Sequence, residues 1–179
     1  MKKSILTFIS VVMVSLVFTS ISNAQQVPNP RVSPTMISAM TIDGAYIKIV
    51  YGMPFKRDRQ VFGGLVPYGQ VWRTGANEAT EITLTKDVEF HGNLVPAGHY
   101  SLFTIPNENE WTVIFNRELG LWGAFNYKDE HDVVRFNVPA ESLTDDWEAF
   151  RILLVNDEGN TSIQMRWERT GITIPFSVR

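Results

Sequence analysis

From residue 35 to the C-terminus, apolar and polar side chains change places at almost every step, which is the period of a strand with one buried face. Ala45, Ile47, Ile49 and Tyr51 interleave with Tyr46, Lys48 and Val50, and Asp43-Gly44 just before them is a hairpin signal joining this strand back to residues 35–42. The same period predicts strands around Ile82 and Leu84, Val88 and Phe90, and from Tyr100 to Ile105, with residues 92–98 as a turn. After Pro106-Asn107-Glu108-Asn109, a further turn, Trp111, Val113 and Phe115 point one way while Thr112, Ile114 and Asn116 point the other. Val134, Phe136 and Val138 form the next row. Phe150, Ile152 and Leu154 follow, then Ile163, Met165 and Trp167, and finally Ile172, Ile174, Phe176 and Val178.

Two stretches break the rhythm. Residues 52–69 hold two prolines and Phe62-Gly63-Gly64-Leu65, and residues 117–132 show no alternation, so both read as connections between sheets. Many short strands without an amphipathic helix predict an all-β fold, an antiparallel β-sandwich of jelly-roll or immunoglobulin-like type, with one domain over residues 35–179.

The N-terminus adds a compartment. Lys2 and Lys3, the apolar run Ile5 to Ile21 and the small-x-small triplet Ser22-Asn23-Ala24 have the form of a signal peptide cut after Ala24. Residues 25–34, with three prolines, then form an extended lead-in. Export is expected, to the periplasm or beyond it, with no membrane anchor after cleavage. The chain has no cysteine, which excludes a lipid-modified cysteine, a disulfide staple, a thiolate metal site and a cysteine nucleophile.

Charge narrows the partners. Losing residues 1–24 removes two lysines and no acid, so the formal charge moves from −3 to −5. An acidic chain lacks the basic stripe that nucleic acid requires, and the single basic run, Lys56-Arg57-Asp58-Arg59, reads as a solvated loop.

The densest mixture of aromatic, charged and amide groups is Trp72-Arg73-Thr74-Gly75-Ala76-Asn77-Glu78-Ala79-Thr80. If residues 74–77 form a loop, Arg73 and Glu78 flank it as an opposite-charge pair beside the Trp72 ring, with Gly75 supplying a positive φ. Read structurally, the pair pins a turn. Read functionally, Trp72, Arg73, Asn77 and Glu78, with Trp122 close by, bind a small polar ligand: indoles for the C–H faces of a sugar, a guanidinium fork for a carboxylate, an amide and a carboxylate for hydroxyls.

A glycoside-type hydrolase would need a second carboxylate across from Glu78. Glu81 is of opposite parity on a regular strand, which leaves Asp87 or Glu89. His91, His99 and His131 lack a third defined ligand for zinc, and the acidic turns at residues 129–132 and 156–160 lack the calcium-loop pattern. Trp111, Trp147 and Trp167 need no ligand: the first and last are in phase with core rows, and Trp147 packs at a strand start.

Val61-Phe62-Gly63-Gly64-Leu65-Val66-Pro67-Tyr68-Gly69, the Trp72 to Thr80 run, Pro96-Ala97-Gly98 with Tyr100-Ser101-Leu102-Phe103, Trp111 to Asn116, and Trp122-Gly123-Ala124 follow one another in an order that resembles the domain-of-unknown-function 2911 family of exported bacterial proteins. The resemblance implies no reaction, ligand or catalytic residue. Two positions depart from its pattern: Leu121, where a polar residue is usual, and His99, where a small or threonine-like one is. The expectation is therefore an exported, non-enzymatic binding module for a small polar ligand such as a glycan, or for a partner surface, without metal or cofactor. A hydrolase using Glu78 and a structural or assembly protein are the alternatives.

Overall fold

A computed structural model describes residues 30–179, so the signal peptide expected over residues 1–24 lies outside the described residues. Strand β1 (Thr35–Ile42) turns into β2 (Ala45–Gly52) through Asp43 and Gly44, both left-handed at φ 49° and 70°, the geometry a two-residue hairpin with the sheet's own twist requires. There follow β3 (Thr80–Leu84), β4 (Val88–Phe90), β5 (Asn93–Val95), β6 (Gly98–Pro106), β7 (Glu110–Asn116), β8 (Asp132–Pro139), β9 (Glu141–Asp157) and β10 (Asn160–Val178). They form an antiparallel sheet of six strands, β1-β2-β3-β6-β7-β8, and one of four, β5-β4-β10-β9. The two make a sandwich, as the alternation predicts, and residues 31–179 are one compact unit.

The predicted apolar rows fill the space between the sheets. Ile47, Ile49, Ile82, Val113, Phe115, Phe150, Ile152, Met165, Ile172 and Ile174 are fully buried, and the connection over residues 52–69 contributes Val61, Phe62 and Val66 to the same core. Each such side chain stabilises the fold by about 1.5–3 kcal/mol.

Four features depart from a plain reading of the period. Residues 92–98 are not all turn, because β5 pairs back on β4 with Val95 opposite Val88 in the core. Strand β9 begins at Glu141 rather than near Phe150, its first half being polar and held by pairing with β10 instead of by an apolar face; Trp147 accordingly lies within this strand, not at its start. Buried apolar residues on β10 are odd-numbered from Ile163 to Trp167 and even-numbered from Ile172, the phase changing around left-handed Glu168, φ 53°, where the register with β9 shifts.

The fourth concerns the outer face of the six-stranded sheet. Phe103 and Ile114 are buried there against Ala79 and Leu121, so β6 and β7 are covered on both sides. Leu121, a departure from the family pattern on sequence grounds, is an apolar plug in this smaller cluster.

Beside it, Tyr127 donates to Asp132 Oδ2 at 2.7 Å and accepts from Arg135 Nη2 at 2.6 Å. Burial, followed by the hydrogen bond to Asp132, pushes the Tyr127 phenol up to about 12. A raised acid pKa keeps its contribution to stability whole below about pH 10, the unfolded value, and loses it as pH climbs toward 12. Spectrophotometric titration is expected to show that Tyr127→Phe removes a tyrosinate that forms only near pH 12; loss of one forming near pH 10 instead would refute the assignment.

Candidate functional site

The run from Trp72 to Thr80 is fixed by backbone pairing at both ends. Trp72 exchanges two hydrogen bonds with Thr104 of β6, 2.7 and 3.0 Å, and the Thr80 N–H donates to Arg73 O at 3.1 Å to close the loop between them. Inside the loop the left-handed residues are Thr74 at φ 54° and Asn77 at φ 66°, not Gly75. Gly75 is there for space: a Cβ on it would sit 2.8 Å from Gly52 O. Gly52 is tighter still, its Cβ falling 2.0 Å from Ala76 O, so the loop lies directly on the backbone at the end of β2, and Ala76 N–H donates to Gly52 O at 3.1 Å. The hydroxyl of Thr80 caps Thr74 O at 2.7 Å, and the hydroxyls of Thr74 and Thr104 meet at 3.1 Å.

Trp72 is mainly a core residue, only 8% exposed. Its ring stacks on Trp167, centroids 5.9 Å apart, and meets the edges of Phe62, Trp111 and Phe150, while its indole N–H donates to Gly75 O at 3.0 Å. What it offers a ligand is an edge, not a face.

The expected pair between Arg73 and Glu78 does not form. Glu78 pairs with Arg31 of the lead-in at 2.6 Å, and Asn77 donates its amide to Ser33 O at 3.1 Å, so residues 31–33 strap across the loop. Arg73 has no carboxylate within ion-pairing distance among the described residues, and its buried Nε has no hydrogen-bond partner. Burial pushes its guanidinium down from the ordinary arginine value, yet arginine stays charged through the physiological range. The reason the sequence misleads is geometric: the loop is not a two-strand hairpin with paired faces, because its two left-handed residues turn the flanking side chains apart.

Trp122 is 58% exposed and bridges Glu78 through backbone only, with Gly123 N–H donating to Asn77 O at 2.9 Å and Ala79 N–H to Leu121 O at 2.8 Å. Gly123 is left-handed at φ 70°, and a Cβ on it would stand 2.9 Å from the Phe125 ring and 3.2 Å from Arg73 Nη1, so the bare glycine leaves room for both. Trp122 therefore supports the loop from behind rather than facing Trp72 across a ligand.

A cleft of about 510 Å³ opens beside this loop. Arg73, Asn77 and the Trp72 edge line one wall, and Arg57 and Arg59 of the 52–69 connection line another. The basic run is thus more than a solvated loop. Lys56 pairs with Asp146, and the Arg57 N–H donates to Glu148 Oε1 at 3.0 Å, tying the run to β9. Arg59 is oriented by donating Nε to Lys56 O and Nη2 to Phe55 O, both at 2.9 Å.

Across the strap lies a second cavity of about 280 Å³, lined by Arg31, Glu78 and Glu81 among others. Glu78 precedes β3 and is off its pleat, so both carboxylates reach one cavity in spite of their parity. Each is engaged: Glu81 Oε1 accepts from Gly120 N–H at 2.9 Å, and the hydrogen bond from Arg31 holds the Glu78 carboxyl below the ordinary carboxylate range. The stabilisation from that pairing is present above the unfolded carboxylate pKa and is lost as pH falls through the lowered value, and it is small because both side chains are about half exposed. Asp87 accepts from Ala97 N–H and Glu89 pairs with Arg179, and neither lines this cavity.

The histidines are dispersed. His91 stacks on Phe136, His99 Nδ1 meets the Thr83 hydroxyl at 3.1 Å, and His131 Nε2 lies 3.6 Å from Glu130. Among the described residues no three His, Asp or Glu side chains gather as metal ligands would.

Sequence reasoning reached Trp72, Arg73 and Asn77 of the first cleft and missed Arg57, Arg59 and the edge of Trp167. The one available signal was the basic run itself, anomalous in an acidic chain. Neither a curated protein nor a solved structure matches the chain. The family described as protein of unknown function (DUF2911) matches residues 33–176, from the strap through the last strand. On that match, which spans both sheets and the cleft between strap, basic run and Trp72 loop, the chain belongs to the DUF2911 family.

Proposed function

We propose that the protein is an exported, non-enzymatic binding module that holds a small polar ligand in the cleft walled by Arg73, Asn77 and the basic run. The observation that carries this is the Arg73 guanidinium, partly buried beside a cavity with an orphaned Nε and no acid to neutralise it. Native structures satisfy the great majority of buried polar atoms, and those left over call for a partner. The cleft, at about 510 Å³, is in the range of small-molecule sites.

A catalytic reading through Glu78 gains from Glu81 sharing its cavity, but a glycosidase acid needs a raised pKa, and Arg31 drives Glu78 the other way. Calorimetric screening of the mature chain, starting at Gln25 as N-terminal sequencing of the exported protein would establish, against sugars and small carboxylates is expected to find a ligand. Its affinity should fall at least about tenfold in Arg73→Gln, since a charge-assisted hydrogen bond is lost. Trp122→Ala should leave it unchanged. A ligand indifferent to Arg73→Gln, or none at all, would overturn the proposal.

A further inference from the structure

We infer that the cleft selects an organic oxyanion, a carboxylate or phosphate carried on an apolar body. The inference rests on the reading of the cleft as a binding site and adds its ligand class. Three arginines, Arg57, Arg59 and Arg73, line the cavity and no aspartate or glutamate does, in a chain whose net formal charge is −3. The acids of β9 that contact the basic run are committed, Asp146 to Lys56 and Glu148 to the Arg57 N–H, and neither they nor Asp58 and Glu78 are part of the lining.

The three guanidiniums are presented differently. Arg59 is held rigid by two loop carbonyls at 2.9 Å. Arg57 touches only Val32 O, at 3.4 Å, and is exposed enough to swing inward. Arg73 is fixed by burial, with Gly123 behind it. Like charges lining one cleft without a counter-charge repel one another, so a bound anion relieves that repulsion as well as filling donors, which a neutral sugar does not do.

Phe55, Leu65, Val66, Pro67 and the edge of Trp72 give a hydrocarbon body a surface to lie on, beside the polar Ser33, Gln70 and Asn77. The lining has no carboxylate to receive an ammonium, so a zwitterion that adds one beside the carboxylate pays desolvation without return.

Calorimetry with the mature protein tests this using hexanoate, hexyl phosphate, acetate, hexanamide, norleucine and methyl glucoside. Hexanoate or hexyl phosphate should bind, the tighter of the two identifying the headgroup. Acetate and norleucine should be at least about tenfold weaker, hexanamide should give no heat, and rising salt should weaken the complex. Arg73→Gln and the exposed Arg57→Gln should each reduce hexanoate or hexyl phosphate affinity about tenfold, with circular dichroism confirming that they fold. Hexanamide or methyl glucoside binding as tightly as hexanoate, and still sensitive to Arg73→Gln, would sink the oxyanion inference while leaving the cleft a binding site. Absence of anion binding alone would remove the oxyanion inference, and anion binding indifferent to both arginine variants, or no binding of any of the six probes, would remove both.

Discussion

Replacing Gly52 by alanine is expected to cost more stability than any other single methyl added to this chain. The new Cβ would lie 2.0 Å from Ala76 O and 2.8 Å from Ala76 C, atoms of a backbone that cannot rotate away as a side-chain tip could. To relieve the clash, the Trp72 to Thr80 loop must lift off β2, breaking the Ala76 N–H to Gly52 O bond and releasing the position of Arg73. Overpacking against backbone belongs to the severe class of substitutions, about 3 kcal/mol or more, which for a domain of this size lowers Tm by roughly 10 °C. Gly92→Ala is the control: nothing lies within 4 Å of its Cβ, and only its φ of 80° opposes the change, for about 1–2 kcal/mol. Thermal unfolding that ranks Gly92→Ala as the worse of the two would show that the loop does not lie on β2.

Trp72→Ala should follow closely, at about 3–5 kcal/mol, the range for deleting a large aromatic side chain from a core that cannot collapse around the loss. The indole is surrounded by Phe62, Trp111, Phe150 and Trp167 from four different segments, so no single backbone shift fills the hole. Trp72→Phe separates packing from hydrogen bonding. It keeps a ring but strands Gly75 O, for about 1–2 kcal/mol from the lost bond and the smaller ring. Denaturant unfolding of the three proteins decides; an alanine variant within 1 kcal/mol of the parent would place the indole outside the core.

These two expectations assign most of the Trp72 to Thr80 run to architecture. Trp72, Thr74, Gly75, Ala76 and Thr80 spend their polar atoms on one another and on β2 and β6, so of the run's residues lining the cleft Arg73 and Asn77 supply the side-chain polar groups. The sequence reading singled out this stretch because aromatic, charged and amide groups are concentrated there, but it could not apportion them. The pair it expected, Arg73 with Glu78, fails because the loop does not keep strand parity. The partner Glu78 finds, Arg31, lies 47 positions away in the lead-in.

The alternation of apolar and polar residues by itself determined the strand-rich fold, the burial of Ile47, Ile82, Phe115 and Ile152, and the hairpin at Asp43-Gly44, because facing is a local property set by the two-residue pleat. The tertiary structure alone decided that Arg57 and Arg59 come to the same cavity as Arg73, that Glu78 and Glu81 share another, and that Trp122 stands outside both. Those meetings depend on how irregular connections cross the sheets. Such crossings are fixed by the space left between packed elements, as at Gly52 and Gly123, and not by any period along the chain.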